Sequence, residues 1–215
     1  MNEQRPGRPP EGPDPSPAGA AAEVARFLDG LSIPYVVIGG LAVQLWGEPR
    51  ATHDVDMTVL LPGGAAERRF LEECVERFHP RIPDAVTFAL RHRVLLISAT
   101  NGCPVDIALG VPGYEPEVIR RAVLTSLAGY PVKVIGVEDL IIHKCVAGRP
   151  RDLEDVKAIL IRQPRVDLRY IRRWLEQFSL AVPERDPLGA FEALLRTVRR
   201  RRRTRPSSPG RKPGN

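Results

Sequence analysis

Cysteine is scarce in this sequence, and the three present, Cys74, Cys103 and Cys145, stand far apart. They form neither a zinc-ligand spacing nor an even-numbered disulfide framework. A reducing compartment, the cytoplasm, is therefore the expected location. Long apolar runs are missing too. A membrane span needs about 20 consecutive apolar residues, and the longest stretch of that character, Pro34 to Trp46, is broken by Gly39 and Gly40. The first residues, Met1-Asn2-Glu3-Gln4-Arg5, lack the apolar core of a secretion signal. No membrane is expected among the partners. Finally, acidic residues are absent from the end of the chain: residues 196–215 hold nine Lys or Arg and no Asp or Glu. The remaining 195 residues carry 23 basic and 26 acidic side chains, so the net charge of +6 belongs to the tail. Any attraction to nucleic acid read from the overall charge is an attraction of that tail.

What is present is an ordinary globular body between two polar ends. Residues 1–18 are crowded with Pro, Gly and Glu and are expected to remain disordered, because they bury too little apolar surface to offset ordering. Residues 200–215 are expected to form a basic disordered tail. Residues 19–136 read as a mixed α/β catalytic domain and residues 137–199 as a helical region.

Within the first half, Val24, Phe27, Leu28 and Leu31 recur at helical spacing. Tyr35–Ile38 reads as a buried strand, and 41–46 as a short helix closed by Gly47 and Pro49. Residues 54–60 alternate as a strand, and 64–78 are amphipathic. Val86–Leu90 reads as a strand. Residues 93–100 and 103–109 are strands around Asn101-Gly102, the strongest short hairpin signal. Residues 115–128 read as a helix and 132–135 as a small strand. Helical patterns then follow at 137–147, 151–162, 167–178 and 188–198. The fold class expected is α/β (α+β), a mixed β-sheet with flanking helices followed by a small helical bundle.

The chemistry concentrates in carboxylates. Asp54-Val55-Asp56 puts two on one face of a strand, about 6–7 Å apart. Both can then reach shared hard cations, magnesium or manganese, which favour carboxylate oxygen and exchange water for phosphate oxygen. Asp106, mid-strand between Val105 and Ile107, faces the same open side if its strand lies beside theirs. A lone Asp would be a solvated strand residue. Three converging like charges instead call for a cation. Upstream, Ile38-Gly39-Gly40-Leu41 joins a strand to a helix start through two glycines, letting backbone N–H groups and the helix N-terminus meet a phosphate. By itself that dipeptide is a plain tight turn; followed by Asp-x-Asp it reads as a phosphate cradle.

At these residues the sequence resembles nucleotidyltransferases of the DNA polymerase β superfamily, whose hallmark is a Gly-Gly or Gly-Ser turn, a short helix and then Asp-x-Asp. Gly39-Gly40-Leu41-Ala42, Arg50 through Asp56, Asp139 through Lys144 and Arg151 through Val156 look like AbiEii-type toxins, over roughly residues 33–178. The resemblance implies a nucleotidyltransferase that takes an NTP such as ATP and passes the NMP to an acceptor hydroxyl, with two metals bracketing an in-line displacement. It implies that Asp54 and Asp56 ligate both metals and that Asp106 ligates the one activating the acceptor. Gly39 and Gly40 would cradle the triphosphate, Lys144 would reach its oxygens, and Arg50 and Thr52 would line the pocket mouth. Implied partners are an RNA or tRNA end, a protein or a small molecule as acceptor, and an antitoxin. One departure stands out: many superfamily members have serine where this chain has Gly40. The residues themselves also allow other readings. Lys144 fits a solvated position on its helix, and Asp152 fits a first-turn helix charge. His53 and His143 are expected to carry no chemistry, and Trp46 and Trp174 to be core residues. A catalytically silent protein that binds a nucleotide or a partner is the alternative to the enzyme.

Overall fold

The structure, a computed structural model, describes residues 16–181 and 184–204, with side chains as far as Arg201. Most of both expected tails, residues 1–15 and 205–215, lies outside the described residues. The described residues form two compact units, one of residues 16–45 and 49–136, the other of 46–48 and 137–204. No helix among them is long and apolar enough to cross a membrane.

The first unit begins with α1 (Pro17–Gly30), so residues 17 and 18 open a helix. Ser16 caps it, its hydroxyl accepting from the Gly19 amide at 3.0 Å, which satisfies one of the unpaired donors of a first helical turn. Val24 and Leu28 are buried one turn apart, together with four alanines that let the helix approach closely. It packs against β1 (Tyr35–Ile38) and β2 (Val55–Val59), and against β6 (Val123–Leu127) and β7 (Tyr130–Val134). Between them in sequence lie α2 (Gly39–Trp46), α3 (Gly64–Arg77), β3 (His79–Pro80), α4 (Ala85–His92), β4 (Val94–Ser98), β5 (Pro104–Leu109) and α5 (Glu115–Arg120).

The seven described strands make one mixed sheet in the order β3-β4-β5-β2-β1-β7-β6. β2 runs parallel to β5 and antiparallel to β1, and β1 runs parallel to β7. The two faces of β2, β4 and β5 differ, apart from Thr58, which is buried on the same face as Asp56. Val55, Met57, Val59, Leu95, Ile97, Val105, Ile107 and Leu109 are buried, while Asp56, Leu96, Asp106 and Ala108 between them are half-buried. Alternation of period two thus delivers one core face and one open face.

Two local expectations are corrected, and one strand is added. Residues 86–90 are helical, within α4, because Ala85 and Ala89 bury at i and i+4 while β4 and α3 cover them. The helix expected over 115–128 stops at Arg120, and Val123–Leu127 pairs with Tyr130–Val134 as a hairpin. Its two-residue loop, Ala128-Gly129, has φ of 46° and 76°, the left-handed pair that matches strand twist. β3, two residues long and ending in Pro80, had no sequence expectation; proline suits it because it lies at the sheet edge.

The second unit is built of α6 (Val137–Ala147), α7 (Pro150–Arg162), α8 (Leu168–Ala181) and α9 (Pro187–Thr204). α6 is apolar on several sides, burying Leu140, Ile141, Ile142 and Cys145, and each other helix of the unit packs on it. α7 contributes Val156 and Ile159, α8 Ile171 and Leu175, and α9 Phe191 and Leu195. α9 continues to Thr204, so the arginine run from Arg199 extends a helix that was expected to end before it.

Candidate active site

β1 ends at Ile38, which pairs with Asp56 of β2. The chain then turns at Gly39, whose φ of +65° favours glycine, and enters α2 directly, so Gly39 and Gly40 form its first turn. A Cβ on Gly39 would stand 2.7 Å from Cγ of Asp56 and overlap its carboxylate. The carboxylate therefore lies on the backbone of the glycine turn itself. A Cβ on Gly40 would stand 2.8 Å from Cβ of Thr52 and overlap its hydroxyl. Thr52 fills the volume that a side chain at position 40 would need, which gives a physical reason for glycine there.

The segment between α2 and β2 is tied down on both sides. Gln44 donates to the Arg50 carbonyl at 2.8 Å, and the Thr52 hydroxyl donates to Oδ1 of Asp54 at 3.0 Å. Asp54 is exposed and lies one residue before β2, which starts at Val55. Burial pushes the Cys103 thiol up from its ordinary value and the Asp54 charge adds to the push, so that charge lies near the start of β5.

Asp106 of β5 pairs in register with Asp56 of the parallel β2. Neighbouring strands are about 4.8 Å apart, so the two carboxylates are cross-strand neighbours on the open face. Opposed like charges of this kind destabilise a sheet unless something neutralises them. Arg81 does so at Asp106: its Nη2 donates to Oδ1 in an ion pair. The Arg81 amide donates to the Leu96 carbonyl at 3.0 Å, and Leu96 pairs with Asp106. Arg81, Leu96, Asp106, Asp56 and Ile38 thus form one row across the sheet. The sequence expectations did not include Arg81, since the nearby prolines, Pro80 and Pro83, restrict His79 and Ile82 rather than Arg81 itself.

The structure thus brings Gly39, Gly40, Thr52, Asp54, Asp56 and Asp106 to neighbouring positions, with Arg50 on the tethered segment. The donor set is of the right chemistry for a hard divalent cation, since every candidate ligand is a carboxylate on the open face. Among the described residues, however, no three His, Cys, Asp or Glu side chains are gathered closely enough to hold a metal. Arg81 engages Asp106 and Thr52 engages Asp54 instead. A cavity of about 520 Å³ in this unit lies elsewhere, at the Pro34 and Leu60 ends of β1 and β2, and contains none of these residues.

Lys144 belongs to the second unit, where it is buried and not solvated. Its Nζ contacts Asp152 Oδ1 at 2.7 Å and Asp155 Oδ2 at 3.0 Å. Burial pushes the Asp152 carboxyl up, but hydrogen bonds and charge from Lys144 and Arg149 outweigh it and hold the group below its ordinary value. Beside Lys144, burial pushes the His143 imidazole down to about 4, against the opposing pull of Asp139 and with help from the Lys144 charge. Trp46 and Trp174 are half-buried.

The family model described as "Nucleotidyl transferase of unknown function (DUF2204)" matches residues 18–189. No curated protein matches the sequence. Among solved structures, an antigenic nucleotidyltransferase-like protein from Paracoccidioides brasiliensis is similar at 17% identity and TM-score 0.47, covering 82% of this chain and 92% of that one. ANT(2")-Ia in complex with adenylyl-2"-tobramycin is similar at 18% identity and TM-score 0.47, covering 74% and 94%. The Thermotoga maritima CCA-adding enzyme complexed with tRNA is similar at 15% identity and TM-score 0.36, covering 81% and 45%.

Proposed function

This chain belongs to the nucleotidyl transferase family DUF2204, and from that premise we propose that it transfers an NMP from an NTP to an acceptor hydroxyl at the open face bearing Asp54, Asp56 and Asp106. The observation that carries the reading is the in-register pairing of Asp56 with Asp106 against the Gly39 turn. Backbone N–H groups of Gly39 and Gly40, at the positive end of α2, receive triphosphate oxygens. Arg50 and Thr52 border that opening. Asp54, Asp56 and Asp106 would hold magnesium or manganese once Arg81 and Thr52 release the carboxylates they engage, and a bound divalent cation would supply charge neutralisation and polarisation of the phosphate oxygens. Asp106 accepts the acceptor's proton as the new ester bond forms at the α-phosphorus, and pyrophosphate departs. Most of the rate enhancement comes from orientation and charge stabilisation. Lys144 is committed to Asp152 and Asp155 within its own unit, so the triphosphate role implied for it finds no support in its contacts.

The test is incubation with each of four α-labelled NTPs, a divalent cation and a cell extract. Label should move to one class of acceptor (RNA or tRNA end, protein, or small molecule) while pyrophosphate accumulates. Asp56→Ala should reduce transfer to background with an unchanged circular dichroism spectrum. Undiminished transfer by that variant would sink the assignment. The resemblance to AbiEii-type proteins supports, within this reading, a cytoplasmic toxin held by an antitoxin, and a label that enters tRNA is the result that fits such a role.

The engagement of Asp106 by Arg81 favours a second reading, a catalytically silent protein that binds a nucleotide or a partner. NTP binding without pyrophosphate release, across all extracts, would establish it.

A further inference from the structure

We propose that Arg81 is an internal counter-ion that occupies Asp106 in the nucleotide-free protein and must yield it when a divalent cation loads. The inference rests on the reading that the carboxylates hold a cation, and it concerns how that cation gains entry. Three observations carry it. First, Asp56 and Asp106 stand opposite each other on parallel strands, where a nearby positive charge eases the repulsion between like charges. Second, the structure supplies that charge from within the chain: Arg81 reaches across the half-buried Leu96 and pairs with Asp106. Third, the Arg81 backbone follows directly on β3 and its N–H donates to the Leu96 carbonyl, so the guanidinium is held at the site by the sheet.

A guanidinium and a metal ion cannot share the same Asp106 oxygen. The pair is also partly exposed, with side-chain exposures of 30% for Arg81 and 39% for Asp106. An ion pair so placed is weak enough to exchange, contributing about 1 kcal/mol or less. Arg81 therefore acts as a positioning residue. It keeps Asp106 on the open face before loading and sets the cation concentration at which the site fills. Once displaced, its guanidinium is left beside the site with donors free for an anion such as a triphosphate oxygen.

The experiment is titration of the nucleotide-free, full-length protein with Mn²⁺, read by electron paramagnetic resonance of free Mn²⁺ and independently by the Mn²⁺-induced rise in melting temperature. Removing the competitor in Arg81→Gln should tighten Mn²⁺ binding by about three- to fivefold, the strength of a half-exposed ion pair. Arg81→Lys, which keeps the charge, should fall between Arg81→Gln and the wild type. In an Asp106→Asn background the Arg81→Gln effect should vanish. Equal or weaker Mn²⁺ binding by a folded Arg81→Gln protein overturns the proposal, as does an effect that survives in Asp106→Asn. Should Arg81→Gln fail to fold, Arg81→Lys decides alone: affinity no tighter than wild type overturns the proposal. The reading of the site fails separately, if neither the wild type nor any Arg81 variant takes up Mn²⁺ with or without NTP; the proposal then falls with it.

Discussion

A side chain at residue 40 has to enter the volume that Thr52 already occupies, and Thr52 in turn holds Asp54. The two positions are therefore coupled. Gly40→Ala should destabilise the first unit by about 1–3 kcal/mol, the usual cost of overpacking, as measured by chemical denaturation. Adding Thr52→Gly vacates the contested volume and should recover most of that loss; a double variant no more stable than Gly40→Ala would refute the coupling. Gly39→Ala should not be rescued in this way, because its positive φ and its overlap with the Asp56 carboxylate act together. The candidate carboxylates were legible in the sequence because aspartate is uncommon inside strands and Asp-x-Asp after a glycine turn is conspicuous. Arg81 was not legible, since its reach to Asp106 depends on a two-residue edge strand that no periodicity announces. Nor was the burial of Lys144, whose partners Asp152 and Asp155 lie on a different helix.

Among the elements, those with strongly buried apolar residues, on one face or all round, read cleanly. β1 and α6 match their sequence expectations residue for residue, and β5 and α7 to within a residue. The failures have separate causes. β6 is an edge strand whose residues are nearly all partly or fully exposed, with Val123 at 40% and Leu124 at 63%, so no alternation of burial marks it. α4 is only eight residues long, and its buried pair, Ala85 and Ala89, sits among β-branched and aromatic neighbours that suggest a strand. The β6–β7 hairpin also carries a local cost. Ala128 adopts a φ of 46° in a turn that favours Gly or Asn, and a left-handed conformation costs an L-residue about 1 kcal/mol. Ala128→Gly should therefore raise stability by about 0.5–1 kcal/mol, and thermal unfolding monitored by circular dichroism checks it. A lowered melting temperature would mean that Ala128 makes contacts worth more than the strain.

At the scale of the whole molecule, acid should weaken the fold in two stages. His143 takes up a proton near 6.5 when unfolded but only near 4 when folded, owing to burial. The unfolded chain therefore binds the proton first, and stability falls as pH drops from about 6.5 to 4, by on the order of 2–3 kcal/mol. Below that range Asp152 adds to the loss, because its folded carboxyl holds its charge, and with it the bond to Lys144, to lower pH than the unfolded one. Urea midpoints measured from pH 7.5 to 3 should show both stages, and His143→Leu should flatten the first alone. The row from Arg81 through Asp106 and Asp56 to Ile38 has a different implication, one about how such a chain can change over generations. Strand positions have parity: odd and even residues face opposite ways. One residue added inside β2 or β5 would throw its aspartate to the wrong side of the sheet, whereas any number added at the Asn101-Gly102 turn would leave the pairing untouched. Lineages descended from this protein are thus free to lengthen at the bends, yet can alter these two segments only in steps of two.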